Sequence, residues 1–153
     1  MFSFKYAIWA LMAGVLIPVM AMLNARLGRH LGEPLHAPIV LFAVGLVFCL
    51  ICSLLITRSL PDLSRLGHSE LINFGGGMIV AFYVISATMI APLFGVANFI
   101  MFAVVSQIIG SVLIDHFGLF GAAVRPVSGL RLLGIVILVS GLVITQFANA
   151  KSN

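Results

Sequence analysis

Charge is what this chain most lacks. Eight Lys and Arg and four Asp and Glu are scattered over 153 residues. That is 8% charged, against roughly 25% in an ordinary globular protein. From Leu71 to Ile114 there is no charged side chain at all. As one helix that run would extend about 66 Å at 1.5 Å per residue, roughly twice the hydrocarbon thickness of a bilayer. It must therefore cross a membrane twice. The reversal falls at Ala91-Pro92-Leu93-Phe94-Gly95, where proline disfavours helix at the residue before it and glycine permits a left-handed backbone.

Other shortages exclude other classes. The two cysteines, Cys49 and Cys52, form a C-x-x-C in the middle of an apolar stretch, where a thiolate would be poorly solvated. They read as small buried side chains rather than redox or metal ligands. The histidines His30, His36, His68 and His116 stand in or beside connections without metal-ligand spacing. No nucleophile has a base at a recognisable spacing, so the sequence argues against an enzyme and calls for no cofactor and no metal. Gly75-Gly76-Gly77 resembles a phosphate loop in composition alone, because no Gly-Lys-Ser/Thr follows it; tight packing near the membrane surface, helped by Ala81, is the better reading. No acid stands at mid-helix. Asp115 and Glu33 come near the membrane only towards the ends of spans, so proton coupling has no central carboxylate.

What is abundant is apolar surface, 62% of residues with a mean hydropathy of +1.25. Five segments have the length of a span: about 6–23, 35–57, 71–91, 94–114 and 132–150. The expectation is an all-α polytopic membrane protein, one integral domain of five transmembrane helices. Lys5 before the first span and Val19-Met20-Ala21 within it loosely fit a secretory signal, but the stretch is span-length and four spans follow, so helix one is expected to stay. Lys5, Arg58, Arg65, Arg125 and Arg131 fall on one side, with Arg26, Arg29 and Lys151 opposite. This favours an inward N-terminus only weakly and is compatible with insertion both ways. Basic residues scattered at helix ends are flanking charges, not a nucleic-acid surface.

Polar groups at membrane depth are the candidates for a pathway. Ala103, Gln107, Ser111 and Asp115 recur every fourth residue along the fourth helix, with Ser106 and Gly110 beside them and Asn98 on the other side near the turn. One reading is a cavity wall where Gln107 and Ser111 bond a substrate and Asp115 supplies charge; the other is a close helix contact. Asp115 opposes the helix dipole at a C-terminal end, which an ion pair with Arg125 or Arg131 would offset. In helix one, Ala10, Gly14 and Pro18 recur by four and predict a kink. The cluster Asn24-Ala25-Arg26-Leu27-Gly28 follows, with Asn24 as a helix cap or as a gate at a cavity mouth, and Arg26 snorkelling. Gly45, Cys49 and Ser53 on helix two, and Gly141 with Thr145 on helix five, predict packed faces. Tyr83, Phe82 and Trp9, together with Asn98 and Gln107, suit a moderately apolar small molecule better than a highly charged one.

Pro18 with Asn24-Ala25-Arg26-Leu27-Gly28, Phe42-x-x-Gly45, Gly75-Gly76-Gly77, Ala91-Pro92-x-x-Gly95, and Ser106-Gln107 with Ile114-Asp115-His116-Phe117-Gly118 resemble, in that order, the YdcZ-type family. These are small five-helix proteins related to the drug/metabolite transporter superfamily. The resemblance covers nearly the full chain; its most specific part is the Ile-Asp-His-Phe-Gly element followed by Arg131-Leu132-Leu133-Gly134. One departure is the absence of a glutamine shortly after Pro18, where the chain reads Val19-Met20-Ala21. The resemblance implies an exporter in the bacterial inner membrane, and members that insert in opposite orientations and pair. Two inverted copies would make a ten-helix body with a midplane site and alternating access. Expected partners are lipid, an antiparallel second copy or paired homologue, and a small-molecule substrate. Gln107, Ser111, Asn98, Asp115, Asn24 and Tyr83 are the expected substrate-binding residues. The alternative is a non-transporting scaffold or accessory subunit bound to a larger partner.

Overall fold

The computed structural model describes residues 4–68 and 70–152, without the side chains of Arg65, Leu66, His68 and residues 149–152. The flanking charges counted above at Arg65 and Lys151, and the histidine at 68, therefore lie outside the described side chains. Five helices form: α1 (Phe4–Leu31), α2 (His36–Thr57), α3 (Gly75–Phe94), α4 (Val96–Phe117) and α5 (Gly129–Ser152). Short 3-10 turns at Leu63–His68, Leu71–Phe74 and Leu119–Gly121 complete the described structure, which contains no strand. All five helices are long and apolar enough to cross a membrane. The all-α, five-span architecture read from hydropathy is the architecture observed.

Helix ends differ from the sequence reading, each for a local reason. α1 continues past Leu23 to Leu31 because Asn24-Ala25-Arg26-Leu27 contains no breaker, and the left-handed residue that ends it is Gly32, φ 79°. Asn24 is thus an interior helical residue and not a cap. α3 carries Pro92 within its last turn, so the break between the third and fourth helices narrows to Gly95, whose N–H donates to the Ala91 carbonyl at 3.0 Å. α5 starts at Gly129 because Ser128 caps it, its Oγ accepting the Arg131 N–H at 3.2 Å.

The chain divides into two compact units, one up to Val96 and one from Ala97. In the first, α1 packs against α2 and α3, and α2 also touches α3. Its core is made of small residues: Ala21, Ala25 and Gly28 from α1, Ala37 and Pro38 from α2, and Val84, Ala87, Thr88 and Ala91 from α3. Lipid is as apolar as leucine, so membrane helices gain little by hiding large side chains and associate where small ones let backbones approach. Large apolar residues accordingly point outward: Trp9 is 79% exposed and Leu55 76%. The closest approach is at Gly28, where a Cβ would lie 2.9 Å from the Pro34 Cα. The chain leaving α1 turns back across this one glycine to start α2.

In the second unit α4 and α5 are bridged by long side chains. Thr145 Oγ1 donates to Met101 Sδ at 3.6 Å, and Gln146 Nε2 to Asn98 Oδ1 at 3.3 Å. α4 ends at Phe117 as the sequence indicated, with Gly118 left-handed at φ 63°.

Some expected packed faces are open. Apart from the local backbone of its own helix, no atom of the described residues comes within 4 Å of a Cβ built at Gly14, Gly45, Gly76, Gly77, Gly110 or Gly141. Cys49 is exposed and Cys52 half-buried, which corrects the reading of both as buried. The reason is that the only fully buried residues of α2 are Ala37 and Pro38 in its first turn, and the rest of that helix is at most partly covered by its neighbours.

Candidate functional site

The polar stripe of α4 is the site's starting point. Gln107 stands at the middle of this 22-residue helix, about 15 Å from either end at 1.5 Å per residue, which is the midplane of a bilayer for a helix that spans it. Its side chain is exposed, and its amide has no hydrogen-bond partner among the described residues. Ser111, one turn on and also exposed, donates to its own helix at the Ile108 carbonyl, 2.9 Å away, which leaves its oxygen lone pairs facing out. Ala103 and Asp115 continue the stripe half-buried. Asn98 lies about 180° around the helix from Gln107 and meets Gln146 of α5. The structure therefore brings Gln107 and Ser111 onto one open face and turns Asn98 away from them.

Asp115 is held at the boundary end of that stripe. Its carboxylate accepts Arg131 Nη2 at 3.0 Å, both side chains being about one-third exposed, and its backbone carbonyl accepts the Arg125 N–H at 2.8 Å. Both candidate partners thus engage it, one through the side chain and one through the main chain. The electrostatics explain the pairing. An acid in the last turn of α4 and a base in the first turn of α5 each oppose their own helix dipole. Paired across the connection, each sits beside the helix end that favours it. His116 Nδ1 accepts the Val127 N–H at 3.2 Å and ties the same connection down from the adjacent residue.

In the first unit, Asn24 is 4% exposed. Its Nδ2 donates to Thr88 Oγ1 at 2.6 Å, and that hydroxyl donates in turn to the Val84 carbonyl at 2.8 Å. The amide offered by the sequence as a gate at a cavity mouth joins α1 to α3 instead. Tyr83 is half-buried on α3, about 140° around the helix from Thr88. Arg26 and Arg29 stay exposed near the end of α1.

Sequence reasoning missed Thr88 and Gln146. Each is a polar residue in an apolar helix and was findable on that ground, but its role depends on which helix stands opposite. We expect Asn24→Ala to lower stability by about 1 kcal/mol, the scale of an interhelical hydrogen bond in a membrane. Thr88→Val should do the same and the double variant little more, measured by denaturant titration in detergent. Additive losses would mean the two groups act separately.

Among the described residues no cluster of His, Cys, Asp and Glu is able to hold a metal ion. No curated protein and no solved structure matches the chain. A protein-family model does, over residues 5–144, under the description "Putative inner membrane exporter, YdcZ", a transporter class rather than an enzyme class. That match runs from the first turn of α1 well into α5 and takes in the open stripe of α4 and the Asp115 pairing. The chain is a multi-pass inner-membrane protein and belongs to the YdcZ family.

Proposed function

We propose that the chain is half of an exporter for a small, moderately apolar molecule, and that two copies inserted in opposite orientations form the working pair. The observation that carries this is Gln107, a primary amide at the middle of a membrane-spanning helix, exposed and without a hydrogen-bond partner among the described residues. In hydrocarbon such a group is several kcal/mol away from satisfaction, roughly the scale of an unpaired amide in an apolar solvent. It needs a water-filled cavity, a ligand or a second chain. An inverted pair supplies all three at a shared midplane, with Gln107 and Ser111 facing the substrate and rocking of the halves exposing it alternately. The open small-residue faces at Gly45 and Gly141 suit close approach of another chain. Asp115 supplies charge at the cavity boundary. Asn24 holds α1 on α3.

Two measurements test this. In a Cys49→Ser/Cys52→Ser background, Ala123→Cys in the exposed α4–α5 connection should be labelled by an impermeant maleimide from both faces of the membrane in intact cells and inverted vesicles. Labelling from one face only would remove the inverted homodimer and direct the search to an oppositely oriented partner. Proteoliposomes loaded with a cellular small-molecule extract should release a subset of solutes, read by mass spectrometry, and Gln107→Leu should retain them while still assembling. Release no greater than from empty liposomes, with loosened assembly in Gln107→Leu, would favour the scaffold reading.

A further inference from the structure

The C-terminal half of α1 carries an open groove of about 650 Å3 lined by Pro18, Val19, Met22, Leu23, Arg26, Arg29 and, from the corner between α3 and α4, Val96. All of these residues lie within the first unit. Its wall is divided along its length. The end nearer mid-helix is wholly apolar, and the outer end presents two guanidinium groups from positions i and i+3 of one helix, neighbours on its surface. Arg26 and Arg29 are exposed, and their guanidinium groups form no ion pair or hydrogen bond among the described residues. Glu33, the acid nearest in sequence, is also exposed and pairs with neither. The negative end of the α1 dipole favours cations here, but it does not occupy their N–H forks.

We propose that this groove seats one phospholipid with an anionic headgroup, its phosphate held by Arg26 and Arg29 and an acyl chain lying along Pro18, Val19, Met22 and Leu23. Length and charge both fit. From Pro18 to Arg29 the helix rises about 16 Å at 1.5 Å per residue, close to the hydrocarbon depth of one leaflet, about 15 Å. A guanidinium fork binds phosphate oxygens in a planar, bidentate manner, and two forks one turn apart match a phosphodiester better than a carboxylate. Free phosphate would use the arginines and leave the apolar wall idle. A neutral lipid would use the wall and leave the arginines idle. The seat is independent of the transport reading, since it uses none of Gln107, Ser111 or Asp115.

The test uses the purified full-length chain reconstituted in phosphatidylcholine bilayers with a trace of spin-labelled phosphatidylglycerol or spin-labelled phosphatidylcholine. The motionally restricted lipid fraction is read by electron paramagnetic resonance. The expected result is a preference of about thirtyfold for the anionic lipid at this seat, as two arginines near an anionic headgroup should give. That preference should fall to near unity in Arg26→Gln/Arg29→Gln, and fall also in Val19→Trp/Met22→Trp, which fills the groove with both charges intact. Helical circular dichroism checks that each variant is folded. Should the arginine variant fail to accumulate, the groove-filling variant decides alone. Three outcomes would overturn the proposal: no anionic preference in the parent protein, an unchanged preference in the groove-filled variant, or full competition by inorganic phosphate. The second would reduce the effect to plain surface electrostatics and the third to a phosphate site.

Discussion

Gly28→Val will prevent the first unit from folding, and the variant will fail to accumulate in the membrane. The Pro34 backbone crosses directly over Gly28. A Cβ there would come within 2.9 Å of the Pro34 Cα and 3.4 Å of its carbonyl oxygen. These are main-chain atoms and have no rotamer to yield. Overpacking a tight site typically costs about 1–3 kcal/mol. Valine adds two further methyl groups and displaces the turn that aims α2, so the loss will exceed that range. Alanine at the same position will be milder, because it recovers about 1 kcal/mol of helix propensity against the clash. Gly14→Ala is the control: nothing lies within 4 Å of its Cβ position, so only the favourable propensity remains. Membrane-fraction abundance and thermal unfolding in detergent measure all three. Equal behaviour of the Gly28 and Gly14 variants would mean that the α1–α2 corner does not have this close approach.

The second large effect separates pairing from participation at Asp115. Asp115→Leu leaves Arg131 without its anion at the membrane boundary and should lower stability by about 1–2 kcal/mol. That lies between the values for exposed and buried pairs, since both side chains are about one-third exposed. Arg131→Gln should do the same. The charge swap Asp115→Arg/Arg131→Asp should recover most of the loss, because it keeps the pair; each residue is then favoured by its own helix dipole and opposed by its neighbour's, the reverse of the native balance. If the swap restores both stability and solute release in proteoliposomes, the residue is a clasp and nothing more. If it restores stability while release stays abolished, the carboxylate itself serves the pathway. That second outcome is expected on the proposed transport reading, in which the Asp115 carboxylate supplies charge at the cavity boundary.

The same logic explains which parts of the α4–α5 region were readable in advance. Ile114-Asp115-His116-Phe117-Gly118 announced a helix end and an acid in need of a partner, because dipole and glycine conformation act within a few residues. Choosing Arg131 for the carboxylate and Arg125 for the main chain required the folded connection, in which the Arg125 N–H reaches the Asp115 carbonyl at 2.8 Å. Asn98 was placed on the opposite side from Gln107 by helical periodicity alone, yet its partner Gln146 came from a different helix. No spacing rule reaches across 48 residues.

The absence of charge from Leu71 to Ile114, and the five apolar segments around and within it, determined by themselves that this chain lives in a membrane and crosses it with five helices. Bilayer thickness and the need to satisfy every backbone hydrogen bond leave no other solution. Which faces meet was another matter. In a soluble protein the buried face of a helix is written in its hydrophobic pattern, whereas here lipid-facing and protein-facing sides are equally apolar. Asn24 and Gln107 are alike in sequence, each an amide in a stripe of small residues. Docking of α1 on α3 buried the first against Thr88, and the second was left open at the middle of its helix with no partner among the described residues. Only the tertiary structure distinguishes them, because a polar group in hydrocarbon is defined by what stands opposite it.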